Sequence, residues 1–258
     1  MIILISPAKS LDFETQVKTK NATTPMFLKQ AATLMKTLRT QSAEDLSRLM
    51  KLSESLGQLN FERNQRWKKK HDGPESKPAV FAFQGDVYKG LEVDSFSAAE
   101  LKRCQKHVRI LSGLYGVLRP MDLLQPYRLE MGTRLANETG SNLYEFWGDT
   151  VTETLNQELT ALKSKLVVNL ASNEYSKVAK LKNLNANVVS PAFRDWKNGE
   201  YKMISFFAKR ARGLMTRYAI TNSIKTAEGL NDFDLDGYSY SEQLSKPNEP
   251  VFTRKQAL

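Results

Sequence analysis

Cysteine and histidine are scarce in this chain. Its 258 residues hold one cysteine, Cys104, and two histidines, His71 and His107, far apart in sequence. A single thiol excludes an intramolecular disulfide and fits a reducing, cytoplasmic compartment. It also leaves no thiolate or imidazole cage for zinc or non-haem iron, so no metal site and no cofactor is expected. Long apolar runs are missing too. None approaches the roughly 20 residues of a membrane span. The leading MIILISPAKS has no basic start and too short an apolar run for a signal peptide. Acid is in deficit: 28 Asp+Glu stand against 38 Lys+Arg, a net charge of +10. That balance favours polyanionic partners such as nucleic acid, nucleotides or anionic surfaces. No phosphate loop, nucleophile elbow, dinucleotide fingerprint or internal repeat is present.

What is present is enough apolar residue, 41%, for a substantial core. No linker divides the chain, so one domain over residues 1–258 is expected. Ile2–Ile5, Ala79–Phe83, Val108–Leu111 and Leu166–Leu170 are continuous apolar runs, which reads as strands covered on both faces. Asn187–Val189 and Tyr201–Ser205 add two more, the latter entered through the hairpin turn Lys197-Asn198-Gly199-Glu200. Residue 249 to residue 253 reads as an edge strand with Pro250 near its start. Helical spacing runs from Pro25 to about Leu59, with an N-cap at Ser42 and a stop at Gly57. Ser97 to Glu100 is a capping box for a helix through Cys104. The clearest amphipathic helix spans Ser141 to about Leu162, and another runs from Phe206 to about Ile220.

The strands end in polar loops, and in α/β sheets ligands gather at that edge. Lys9 follows the first strand, Asp86 and Tyr88 the second, and Asn169 to Tyr175 the fourth. Lys9 reads either as an anion contact or as a solvated loop lysine. The stretch Val108 to Gly132 holds Ser112, Gly113 and Gly116, two prolines, and Arg119 and Arg128. Glycine amides and guanidinium groups of that kind suit a phosphate or carboxylate; the alternative is a tight connection between core elements. Lys209, Arg210, Arg212 and Arg217 crowd the 206–220 helix with no acid between them, which favours an anionic partner. The basic run Arg63 to Lys70, with Trp67 inside it, reads as a nucleic-acid contact with stacking or as a solvated helix end.

Several long strings resemble the YaaA family of bacterial peroxide-stress resistance proteins. They are residues 3–9, residues 83–88, Leu111 to Gly132, residues 144–149, residues 169–172 and residues 208–215. The likeness covers essentially the whole chain. It implies a cytosolic protein that limits Fenton damage to DNA and proteins by lowering unincorporated iron. It also implies a mixed α/β (α+β) fold with helices around a central mixed sheet, a basic cleft and a helix-hairpin-helix-like DNA-binding element. Leu111 to Gly116 resembles such a hairpin, although its glycines are three apart and Pro120 truncates the second helix.

Two functions follow. In the first, DNA binds through its phosphates with weak sequence preference. Lys9, Arg119, Arg128, Lys209, Arg210 and Arg212 neutralise charge, and Ser112, Gly113 and Gly116 lie beside them. In the second, an enzyme acts on a small anionic ligand, nucleobase-containing or phosphorylated, by N-glycosidic cleavage. Lys9, Asp86 and Glu174 are then the catalytic candidates. A deep pocket holding those three within hydrogen-bond reach favours the enzyme; a long basic groove favours DNA.

Overall fold

The computed structural model describes residues 1–17, 19 and 21–255. Strand β1 (Ile2–Ile5) is buried on both faces, which is why it does not alternate. A two-residue strand, β2 (Ser10–Leu11), follows. The expected helical region resolves into three helices: α1 (Leu28–Arg39), α2 (Ala43–Met50) and α3 (Glu54–Arg66). Ser42 caps α2 in a reciprocal box with Asp45, as the sequence suggests. Gly57 does not stop a helix. It lies inside α3, where an added Cβ would come within 1.9 Å of Ser47 Oγ, so the glycine lets α3 pack closely on α2.

The expected strand at Ala79–Phe83 is mostly helix. Strand β3 (Lys77–Pro78) leads into one helical turn, α4 (Ala79–Ala82), and then β4 (Phe83–Gln84). A short buried apolar run has no polar face to set its period, so helix and strand look alike in sequence. Helix α5 (Asp86–Leu91) and helix α6 (Ala98–His107) follow, α6 opened by the Ser97–Glu100 capping box. Strands β5 (Val108–Ser112) and β6 (Gly116–Leu118) form an antiparallel hairpin. The segment expected to resemble a helix-hairpin-helix is therefore a β-hairpin. The β-branched, fully buried run of β5 continues into the central sheet, and Pro120 bars a helix after it. Strand β7 (Leu123–Leu124) pairs with β3.

The expected long helix at 141–162 is broken at Gly148, φ +50, into α7 (Leu143–Trp147) and α8 (Thr150–Ala161). Strand β8 (Leu166–Leu170), helix α9 (Asn173–Ser176) and strand β9 (Asn187–Val189) come next. Strands β10 (Ala192–Lys197) and β11 (Glu200–Lys202) form the expected hairpin, with Asn198 and Gly199 both at positive φ. Helix α10 (Ser205–Thr221) starts where sequence reading extends a strand to Ser205. The chain closes with β12 (Ser239–Tyr240) and β13 (Val251–Arg254).

The five-stranded sheet has the order β6-β5-β1-β8-β9. All its pairings are parallel except β5–β6. A second sheet has the order β11-β10-β13-β12. Strand β13 is thus interior and not an edge strand: Ala192 to Asp195 of β10 pair with it in parallel, and β12 covers its other side. The fold is mixed α/β, as expected. Helices α5 and α10 meet backbone to backbone. A Cβ on Gly213 would lie 1.9 Å from the Val87 carbonyl oxygen, and one on Gly90 would lie 2.3 Å from that of Arg210. Only glycine fits at this crossing.

Candidate functional site at the carboxyl edge of the five-stranded sheet

Strands β1, β5, β8 and β9 all end at one edge, and their exit loops bind one another. Ser6 Oγ accepts the Ser172 N–H at 2.9 Å, and Tyr88 donates its hydroxyl to the Ser6 carbonyl at 3.1 Å. Lys9 and Arg128 share one carboxylate. Glu130 Oε2 lies 2.8 Å from Lys9 Nζ, and Glu130 Oε1 accepts from Arg128 Nη2 at 3.1 Å. Arg128 Nε is buried and has no partner among the described residues. Arg63 lies beside Arg128; burial first, then that neighbouring cation, lowers its pKa. Glu174 Oε1 accepts the Gly132 N–H at 2.8 Å. Three buried tyrosines, Tyr88, Tyr127 and Tyr175, sit close enough to influence one another, and burial pushes each phenol above its ordinary pKa.

The catalytic candidates share this neighbourhood but do not bond to one another. Lys9 is engaged with Glu130, Glu174 with Gly132, and Asp86 opens α5 half-buried. The nearest link is through the backbone: Ser10 pairs with Gln84, and a Cβ on Gly85 would touch that of Ala8.

The candidates in the hairpin are interior. Ser112 is fully buried, bonded to the Tyr127 hydroxyl at 2.7 Å and accepting the Tyr115 N–H at 3.1 Å. A Cβ on Gly113 would meet the Leu129 carbonyl oxygen at 2.3 Å. Gly116 sits at φ +67 beneath the Trp147 ring, and Trp147 Nε1 donates to the Gly113 carbonyl at 3.0 Å. Arg119 grips the fully buried Asp122 and the Thr24 carbonyl. Trp67, in the basic run, is 3% exposed and donates to the Tyr115 hydroxyl, so it offers no stacking surface.

Helix α10 divides its cations. Arg217 bonds to Ser95 and to the Leu91 and Glu92 carbonyls at the end of α5, and Arg210 lies 3.7 Å from Asp236. Lys209 is exposed. Arg212 enters a cavity of about 320 Å³ beside Asn169, Asn173, Ser190, Arg194 and Lys246, with Glu249 also on the wall. Arg212 forms no ion pair with a described residue, and burial lowers its pKa. An unpaired, desolvated guanidinium facing amides and a hydroxyl is suited to one anionic group.

Sequence reasoning missed Glu130, Tyr127 and Arg194, and it named Tyr175 and Arg63 only as parts of a strand exit and of the basic run. The first had a signal. Arg128 and Glu130 flank Leu129 in an extended segment, which puts both on one side and the leucine on the other. Tyr127 had none, since a buried phenol and a packing aromatic read alike.

Among the described residues no group of three or more His, Cys, Asp or Glu side chains is placed to hold a metal ion. No helix there is long and apolar enough to cross a membrane. The chain is an α/β protein whose loops are paired at the carboxyl edge of a mostly parallel sheet, with an unpaired arginine beside them. Comparison makes the assignment specific: a family model described as "Peroxide stress protein YaaA" matches residues 1–244, and the chain belongs to that family. A UPF0246 protein of Shewanella oneidensis is 52% identical over 255 residues, covering 99% of each chain. Another from Janthinobacterium sp. (strain Marseille) is 54% identical over 255 residues, again 99% of each. A third, from Bordetella petrii, is 53% identical over 255 residues, 99% of this chain and 100% of the relative. The family assigns a role in peroxide stress.

Proposed function

We propose that this peroxide-stress protein works in the cytoplasm by binding DNA through its phosphates at the carboxyl edge of the five-stranded sheet. The observation that carries this reading is Arg212, a half-buried cation that forms no ion pair with a described residue, in a cavity where Arg194 and Lys246 join it against one acid, Glu249. Lys209 stands exposed three residues away, one turn along the helix. Phe206, three residues further, is 56% exposed and offers a ring to an unstacked base. Arg119, Arg128 and Lys9 serve the fold or the edge network first, because each is held by a carboxylate. Lowering of unincorporated iron is part of this proposal, as an effect exerted without a thiolate or imidazole cage among the described residues. The enzyme reading draws less support, since Lys9, Asp86 and Glu174 make no mutual hydrogen bond.

The test is fluorescence anisotropy of a labelled DNA duplex at roughly 50 and 200 mM salt, with wild type, Arg212→Gln and Lys209→Gln. Affinity is expected to fall steeply with salt, and each variant to reduce the slope by about one. Salt-independent affinity, or unchanged binding by Arg212→Gln, sinks the proposal. Peroxide survival is scored alongside. Survival lost by an Asp86→Asn variant whose DNA binding is intact would return the enzyme reading to first place.

A further inference from the structure

The opposite, amino edge of the five-stranded sheet carries a second cavity, of about 560 Å³, within the range that encloses a nucleotide-sized ligand. Its floor is apolar: Leu162, Leu166, Ala219, Ile220 and Ile224. Its rim holds Arg103, Lys106, Lys163, Lys165 and Lys225 against one carboxylate, Glu228. Arg103 is committed, donating Nε to the Ile220 carbonyl at 2.9 Å. The four lysines are exposed and form no ion pair with a described residue.

Solvated lysines at helix ends are common, so the charge needs weighing. Helices α6, α8 and α10 all end at this cavity, at His107, Ala161 and Thr221. Each C-terminus presents about half a negative charge. Three of them offset fewer than two of the four excess positive charges, so a cationic surplus remains. His107 on the wall has its pKa held below the ordinary value, chiefly by burial, with the Met1 ammonium and then Lys106 adding.

Lys163 shares its left-handed backbone with Lys51 and Lys180 elsewhere in the chain, so it counts as one rim cation among the four. It stands just past α8 at φ +49, where the Ser164 N–H closes the helix on the Leu159 carbonyl. That left-handed position is the one where glycine is least costly. A lysine there places a cation on the cavity rim at the expense of backbone comfort.

We propose that this cavity binds a nucleoside triphosphate, its base on the apolar floor and its phosphates on Lys106, Lys163, Lys165 and Lys225. A planar apolar group fits a floor of leucine and isoleucine, and flexible ammonium groups suit a polyphosphate whose charge is spread along its length. The site is separate from the DNA reading, because none of these residues lies at the carboxyl edge.

The experiment is calorimetric titration and thermal melting of the full chain with ATP, with inorganic triphosphate and with adenosine, in EDTA. The variants are Lys163→Gly and Lys225→Glu. ATP is expected to raise Tm and to bind at least tenfold more tightly than either fragment. Lys163→Gly is expected to weaken ATP at least fivefold while its unliganded Tm stays level or rises. If Lys163 serves only to offset the helix end, that Tm falls and ATP binding is unchanged, which overturns the proposal. It is also overturned if ATP does not bind, if inorganic triphosphate binds as tightly, or if a DNA duplex displaces ATP stoichiometrically. Lys225→Glu gives an independent reading should Lys163→Gly fold poorly: wild-type affinity in it counts against the site.

Discussion

The two edges of one sheet are built on opposite plans. At the carboxyl edge the loops are tied to each other: Ser6 to Ser172, Lys9 and Arg128 to Glu130, Glu174 to Gly132. Lys9, Arg128 and Glu130 share their charges and Ser112 is interior, whereas Arg63, Arg194, Arg212 and Lys246 form no ion pair with a described residue. At the amino edge the lysines surround a cavity and pair with no described acid. Position on a parallel sheet therefore does not by itself say where ligand chemistry lies. The pairing of charges says more: a cation already satisfied holds the fold, and one without a partner is free to hold something else.

Substitutions can break or sharpen that contrast. The largest loss is expected from Gly113→Ala, where the new Cβ would meet backbone, 2.3 Å from the Leu129 carbonyl oxygen. Chemical denaturation should show about 3 kcal/mol of destabilisation, and a variant as stable as wild type would mean the hairpin is not locked as described. Next is Tyr115→Phe. Its hydroxyl accepts from Trp67 at 3.0 Å and meets His71 at 2.8 Å, both buried. Removing it leaves a buried indole N–H unpaired, a loss of about 2 kcal/mol in the same assay.

Glu130→Ala leaves Lys9 and the mostly buried Arg128 without their shared acid. Roughly 1–2 kcal/mol of stability should go. DNA affinity should rise, since two cations are released; a fall would place Glu130 in binding itself. Ser112→Ala should cost about 1 kcal/mol with DNA affinity unchanged, because its hydroxyl faces Tyr127 and Tyr115 and not solvent. At the amino edge, Lys106→Ala should change stability by no more than about 0.5 kcal/mol.

The smallest effect is in pH. His107 has a depressed folded-state pKa, chiefly through burial. It is neutral in the folded protein at pH values where the unfolded chain, near 6.5, begins to take up a proton. Its contribution is thus fully present above that value and declines as pH falls below it towards the folded pKa. Melting of His107→Asn between about pH 7 and 5 should show a shallower decline than wild type. An identical decline would remove His107 as a source of acid sensitivity.

Long-period features were legible in the sequence, and short ones were not. The buried strands β1, β5 and β8 stand out because parallel strands covered on both faces leave unbroken apolar runs. The run at Ala79–Phe83 has the same composition and became a helical turn, since nothing in five apolar residues distinguishes the two. Although the strand expected before Asp86 is a helical turn, it was legible that Lys9 and Glu174 follow strands ending at this edge. Which of them are satisfied was not, because partners such as Glu130 and Gly132 lie more than a hundred residues from Lys9 or some forty from Glu174. Ser112, Gly113 and Gly116 looked like a phosphate loop because packing glycines and ligand-binding glycines share the same residue type. The amino-edge cavity drew no notice for a related reason. Its lysines come from three separate places, the end of α6, the loop after α8 and the loop after α10, and no single stretch of chain carries them together.

The contact between Gly90 and Gly213 has a mechanical meaning. Backbone lies against backbone there, and Arg217 ties the same helix to the Leu91 and Glu92 carbonyls. Arg212 is one residue from the crossing, about 1.5 Å along the axis, whereas Phe206 is about 10 Å out, near the start of the helix. The cation thus stands where α10 is anchored, and the exposed ring stands a full two turns from the anchor.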